Sequence, residues 1–227
     1  MTDIDIDHLR TWIGRREVRR EVVAETLVER FHATIPDGLW DGAPTPLGLI
    51  WCLGLPALPL DGLGPDGHPA RGGFLPPVPL PNRMWAGGEL EFHRPLALGA
   101  TVRKRSSVES IEHKRGRSGD LVFVGVRHEL FDGDELALSE RHDIVYKHPS
   151  PPGAQPAAVA AAATATFSET LEPSSTLLFR YSALTFNGHR IHYDADYCRA
   201  VEGYADLVVH GPLQATLLAG LAQRLAA

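Results

Sequence analysis

Cysteine is scarce: two residues in 227, Cys52 and Cys198. They lie far apart and in no metal-ligand spacing, which excludes a disulfide framework and fits a reducing cytoplasm. A surplus of positive charge is also missing. Lysine and arginine number 22 against 28 aspartates and glutamates, a net charge of −6, and phosphate neutralisation needs a basic face. Nucleic acid is therefore not an expected partner. No apolar run approaches the roughly 20 residues that cross a bilayer. The start, MTDIDIDHLRTWIGRREVRR, holds no apolar core long enough for a signal peptide. A soluble, cytoplasmic globular chain with no membrane partner is expected. Hydrophobic residues at 44% and charged residues at 22% are ordinary for one.

What is present divides the chain into two unequal halves. Arg16 to Ile35 reads as an amphipathic helix, with Val18, Val22, Val23, Leu27 and Phe31 near one face and Pro36-Asp37-Gly38 as its stop. LGLIWCLGL after Pro46 is consistent with a buried helix. LPLDGLGPDGHPARGGFLPPVPLPNRMWAGG, dense in glycine and proline, reads as loop. A loop this long in a compact domain binds something or covers something. Four strand-like segments follow: GELEFHRPL, TVRKRSSVESIEHK, DLVFVGVRHELF and ELALSERHDIVYK, separated by turns that include RGRSG and DGD. The last three read as an antiparallel meander. Buried helix followed by strands suits an α+β fold in which a sheet wraps a helix. Residues 1–147 form this first half, and the Pro/Ala-rich stretch 148–175 reads as linker.

The second half, 176–227, is short. TLLFRYSAL reads as a strand, TFNGHRIHYD as a polar loop, and ADYCRAVEGY as a short helix ending at Gly203. DLVVHG leads into a mostly apolar helix from Pro212 to Ala226, with proline near the first helical position. The chain ends in or just after this helix, so a second sheet is expected to be short of strands. A truncated product, a partner chain or homo-oligomer covering the helix, or a first half that wraps it alone would each answer that.

Chemistry-bearing groups crowd into this half. His192 follows Asn187 by five positions with Gly188 between; an imidazole titrating near neutrality can take a proton from water while an amide holds that water. The competing reading is a structural loop histidine. Gly211 opens the apolar helix, where unpartnered N–H groups and the positive dipole end would stabilise an oxyanion; a plain helix start is the alternative. His189, His192, Asp194 and His210 could supply two histidines and a carboxylate to a metal, a weaker reading because the segment looks like loop. Arg103, Lys104, Arg105, Lys114, Arg115 and Arg117 flank a turn, as phosphate contacts or as a solvated hairpin edge.

RYSALTFNGHRIHYD followed by EGYADLVVHGPLQATLL resembles the hydroxyacyl-thioester dehydratase type 2 and mesaconyl-C4-CoA hydratase group, within the MaoC-like hydratases of the hotdog fold. DGHPARGGFLPPVPLPNRMWAGGELEF and GRSGDLVFVGVRHE resemble the same group's first half. The resemblance implies a double hotdog whose second hotdog is incomplete, acting as a hydro-lyase on an enoyl-CoA or 3-hydroxyacyl-CoA thioester. A non-catalytic thioester-binding or assembly module is the alternative. The MaoC-like motif D-x-N-P-[I/L/V]-H aligns with Asn187 to His192, so the histidine is kept and an asparagine replaces the aspartate. The resemblance then implies His192 as base, Asn187 positioning water, and the Gly211 amide facing the thioester carbonyl, with no cofactor and no metal. Arg180, Arg190 or His93 would pair with a substrate carboxylate, and His210 would join the substrate contacts. Phe74, Met84 and Trp85 would wall an acyl channel, unless the Gly/Pro loop is only a cover for the sheet.

Overall fold

The structure, a computed structural model, describes residues 4–35, 45–116, 119–149 and 165–226. After a short helix α1 (Ile6–Arg10), the chain enters strand β1 (Arg16–Val22) and helix α2 (Glu25–His32). Strands β2 (Asn82–Phe92), β3 (Thr101–Gly116), β4 (Gly119–Asp132) and β5 (Glu135–Lys147) follow. They make one five-stranded sheet in the order β1-β3-β4-β5-β2, and every pairing is antiparallel. The meander expected from the last three segments is β3-β4-β5. Gly133, at φ 59°, supplies the left-handed conformation that the β4–β5 turn needs.

Alternation sends one set of side chains from each strand to the covered face. On β4 these are Val122, Val124 and Val126, all buried. They pack with Val108, Ile111, Ile144 and Tyr146 into one apolar cluster. A second cluster joins Val102, Leu130 and Leu138 at the other end of the sheet to Phe31, Leu49, Tyr181 and Leu213 from the helical elements.

The second half contributes helices α3 (Ser175–Leu184), α4 (Ala195–Tyr197, continuing as a π-turn over Cys198–Glu202) and α5 (Gly211–Ala226). Among the described residues it adds no strand to the sheet. α5 lies against the buried 3-10 turn Leu47–Cys52. Gly48 allows that approach, because a Cβ there would overlap the side chain of Thr216. Leu213 is buried, whereas Leu218 and Leu225 on the same helix are exposed. The first half therefore covers one side of this helix. Gly203, at φ 78°, ends the α4 π-turn as expected.

Two assignments are corrected. Arg16–Val22 is an edge strand, with only the C-terminal part of the expected helix helical, because a spacing of four between Val18 and Val22 satisfies period 2 as well as period 3.6. TLLFRYSAL is helix rather than strand. Ser174 accepts the Leu177 N–H at its N-terminus, and Leu177, Leu178, Tyr181 and Ser182 are buried at helical spacing. LGLIWCLGL is buried as expected, but only Leu47–Cys52 is helical, and as a 3-10 turn. The loop ends earlier than expected, since β2 already begins at Asn82. The stop at Pro36-Asp37-Gly38 and most of the linker lie outside the described residues.

Leu213→Ala removes a fully buried side chain at the α5 contact and is expected to cost about 2–5 kcal/mol in urea unfolding. Leu218→Ala on the exposed side should stay within about 0.5 kcal/mol.

Candidate active site between the sheet and the second half

The covered face of the sheet is not wholly apolar. Ser106, His128 and Glu140 stand directly opposite one another across β3, β4 and β5, with Lys104 and His142 beside them on the same face. Ser106 Oγ lies 2.8 Å from His128 Nδ1, and Glu140 accepts the indole N–H of Trp51 at 3.0 Å. Burying such a row between two apolar clusters costs free energy unless the groups are partnered. Lys104, Ser106, His128 and His142 line a cavity of about 580 Å³. Its other walls are the Gly/Pro loop, through His68 and Phe74, and the second half, through Asn187, His189, His192 and Gly211.

A row of imidazoles forms the second-half wall. His192 Nδ1 is 2.7 Å from the Val208 carbonyl; that oxygen can only accept, so the ring carries its proton on Nδ1 and presents a bare Nε2. The His192 ring stacks on His210, centroids 3.6 Å apart, and His210 Nε2 is 2.8 Å from Ser182 Oγ. His189 sits edge-on to His192 at 5.4 Å and packs on His68 at 4.0 Å. Burial pushes His192 down to about 4, with the Val208 carbonyl opposing the shift. Burial, reinforced by the neighbouring His192, pushes His189 and His210 down to about 3. All three rings are neutral near pH 7. His128 and His142 are lowered too, chiefly by burial.

Asn187 Oδ1 accepts the His189 N–H at 3.0 Å, which commits its oxygen to the turn and leaves the NH2 as donor. Gly211 begins α5, where an N–H has no carbonyl within the helix to donate to. Its missing side chain has a second purpose, because a Cβ there would overlap the Trp85 ring. Trp85 in turn contacts Trp51 at 6.4 Å and His142 at 6.0 Å, linking the start of α5 to the polar row.

A family model, hydroxyacyl-thioester dehydratase type 2, matches residues 51–227. The chain belongs to the hydroxyacyl-thioester dehydratase type 2 family. It is 43% identical over 218 residues to mesaconyl-C(4)-CoA hydratase of Chloroflexus aurantiacus, an alignment covering 93% of this chain and 77% of that one. Among solved structures it is similar to a MaoC-like dehydratase from Phytophthora capsici, with TM-score 0.64, 15% identity, and 98% and 76% of the two chains covered. It is also similar to a Mycobacterium tuberculosis protein described as a double hotdog, with TM-score 0.50, 15% identity, and 94% and 74% covered. The α+β hotdog class expected from the sequence is the fold these neighbours share.

Within this family member, the structure brings Asn187, His192, Gly211 and Trp85 together, with Phe74 and Met84 on the same cavity wall. Three expected substrate contacts point elsewhere. Arg180 donates to the Ala33 carbonyl at 3.0 Å and lines a separate outer groove. Arg190 is held by Asp194 at 2.7 Å and lies over the Tyr197 ring. His93 is exposed past the end of β2, beside Glu91. His210 stands behind His192 rather than on the cavity wall. The weaker metal reading of His189, His192, Asp194 and His210 finds no support in the placement of Asp194, which caps α4 and pairs with Arg190. Of the basic turn residues described, Lys104 alone lines the cavity.

The sequence reading passed over Asp66, His68, His128, Glu140 and His142, and weighed Lys104 only as a phosphate contact or a solvated hairpin edge. The strand residues carried a signal: they occupy the period-2 positions shared with buried apolar residues, Val126 on β4 and Leu138 and Ile144 on β5. Two donor groups among the described residues have ligand atoms within 4.8 Å of one another, Asp66-His68-His189 and His128-Glu140-His142. Arg83 Nη2 already stands 3.6 Å from Asp66. Lys104 exerts its positive charge on His128 and His142. Those cations oppose a metal dication, and neither group is read as a metal centre. No helix among the described residues is long and apolar enough to cross a membrane.

Two outcomes are expected. The depressed histidines bind protons in the unfolded chain below about pH 6.5 but in the folded chain only near 3 to 4. Stability should therefore fall as pH drops from 6.5 towards 4, and His210→Phe should flatten that slope in pH-dependent urea melts. Gly211→Ala should displace Trp85, read as a change in tryptophan fluorescence and weaker acyl-CoA binding, with Trp85→Ala as a second change partly restoring binding.

Proposed function

We propose that this chain catalyses the reversible addition of water to an enoyl-CoA thioester, giving a 3-hydroxyacyl-CoA. The observation that carries the reading is that a neutral imidazole with a bare Nε2, His192, and the unpartnered N–H of Gly211 share one cavity. The Asn187 NH2 donates to the water oxygen and fixes it. His192 Nε2 takes a water proton as the oxygen attacks the β carbon. The C=C electron pair moves towards the thioester carbonyl, whose growing negative charge meets the Gly211 N–H at the positive end of α5. Family membership supports the same reaction class in either direction.

For substrate, the mesaconyl-C(4)-CoA hydratase relative supports a short dicarboxylic acyl group. Such a substrate carries a free carboxylate into the cavity. With Arg180, Arg190 and His93 turned away, the cations lining the cavity are Lys104, Arg19 and Arg83; Arg19 pairs with Glu17 and Arg83 with Asp66, so Lys104 is the one placed to meet it. Its Nζ donates to the Leu53 carbonyl at 3.3 Å, which leaves further N–H donors, and burial pushes the ammonium down against the opposing pull of Glu140. A carboxylate arriving beside it would stabilise the charged form. A cytoplasmic enzyme of dicarboxylic or fatty acid metabolism completes the reading. So does a second copy or partner chain over Leu218 and Leu225, to be checked by sedimentation.

The test follows enoyl-thioester absorbance with mesaconyl-C4-CoA and crotonyl-CoA. Wild type should hydrate at least one of them, and His192→Ala should lose about 10²–10⁴ of kcat. Equal rates would remove His192 from the reaction, and thioester binding without turnover would support the binding module instead. Lys104→Met should lower kcat/KM for mesaconyl-C4-CoA relative to crotonyl-CoA by about tenfold or more, the result of leaving one charge unpaired in a buried site.

A further inference from the structure

Hydration of an enoyl thioester needs two proton transfers. One proton leaves the attacking water, and a second must reach the α carbon as the enolate collapses. On the reading above, His192 takes the first. The Nδ1 proton of His192 is committed to the Val208 carbonyl, and Asn187, standing where the MaoC-like motif has an aspartate, has no acidic proton to give. The donor to the α carbon is therefore unassigned, although the cavity contains a group built for it.

His68 lines the same cavity, on the Gly/Pro loop. Its Nδ1 is 3.2 Å from Asp66 Oδ2, and its backbone N–H donates to Asp66 Oδ1 at 3.1 Å. Asp66 is buried and has the Arg83 guanidinium 3.6 Å away. Of the four imidazoles His68, His189, His192 and His210, this is the one whose ring nitrogen faces a carboxylate. A carboxylate on Nδ1–H orients the ring, directs Nε2 outward and stabilises the charged form.

The loop that carries the dyad is clamped to the segment that carries His192. The Arg190 N–H donates to the Asp66 carbonyl at 3.0 Å. Gly67 and Gly188 pack backbone to backbone: a Cβ on Gly188 would come within 2.6 Å of the Gly67 oxygen, and Gly67 takes φ 83°. The two Gly-His steps, Gly67-His68 and Gly188-His189, thus face each other. They place His68 4.0 Å from His189, which is itself 5.4 Å from His192.

We infer that His68, oriented by Asp66, is the second proton-transfer group: its Nε2–H delivers a proton to the α carbon in hydration and removes it in dehydration. The inference rests on the hydration reading. The balance closes. The water oxygen bonds to the β carbon and its proton goes to His192 Nε2. The C=C pair passes through the enolate to form the new C–H bond with the His68 proton. The His192 imidazolium and the neutral His68 then return to their starting forms by proton transfer across the cavity, where His189 lies between them. The net change is one water added. This assignment also answers how a site without the motif aspartate retains a carboxylate: it comes from the first half, behind a histidine. The charged and titratable groups facing His68 are Asp66, Arg83 and His189, with Glu202 acting on Asp66 from α4.

The experiment has two readouts on wild type, His68→Gln, Asp66→Asn and His192→Gln. One is kcat and KM for hydration of whichever thioester wild type turns over. The other is deuterium exchange from D2O into the α position of butyryl-CoA, which reports α-proton transfer without water addition. His68→Gln should lose about 10²–10³ of both kcat and exchange with KM held within about threefold. Asp66→Asn should lose about tenfold of each and move the pH profile, which a merely structural loop residue would not do. His192→Gln should lose hydration by a larger factor than exchange. His68→Gln that keeps kcat and exchange within about threefold of wild type overturns the inference, and so does a variant whose only change is in KM. Should His68→Gln fail to fold, the exchange rate of Asp66→Asn decides by the same criterion. A wild type that hydrates no thioester removes the hydration reading and this inference with it. Active wild type beside unimpaired His68→Gln removes the inference alone.

Discussion

The hydrogen bond from His192 Nδ1 to the Val208 carbonyl, 2.7 Å long, is the constraint on which the chemistry depends. A carbonyl can only accept, so it decides which nitrogen of the ring carries the proton. Burial then decides that the ring carries only one. Stacking on His210 and the edge contact with His189 hold the plane. None of these contacts adds a carboxylate, so the ring is kept as a neutral acceptor rather than an imidazolium. A ring arranged in this way rests unprotonated with Nε2 free to accept, and its lowered pKa makes the imidazolium formed during water attack a ready proton donor.

The scaffold serves that arrangement by dividing its core. A hydrophobic sheet face would bury more apolar area without the polar row at Ser106, His128 and Glu140. Instead, two apolar clusters flank it, and the space between them is the cavity. Trp85 couples the parts: its ring fills the volume that Gly211 leaves open and contacts His142 on the sheet. The start of α5 and the polar row are therefore positioned by the same side chain.

Much of this was legible in the sequence, and the exceptions have physical causes. β3, β4 and β5 showed their alternation openly, and Gly203 and Pro212 marked the ends of α4 and α5. Asn187, His192, Gly211 and Trp85 do meet in one cavity. β1 was concealed because Val18 and Val22 fit both periods. α3 was concealed because its apolar run looks extended until Ser174 is recognised as a cap. Arg180 and Arg190 were plausible by charge alone, but their partners, the Ala33 carbonyl and Asp194, are fixed by tertiary packing. The Asp66-His68 dyad depends on a glycine-to-glycine contact between segments distant in sequence, and nothing in either segment names the other.

Nitrogen-15 NMR of the His192 imidazole tests the central claim most directly. The account predicts a neutral ring from pH 7 down to about 5, with Nδ1 protonated and Nε2 bare, and protonation only as pH approaches about 4. An imidazolium at pH 7, or a neutral ring with its proton on Nε2, would contradict the account.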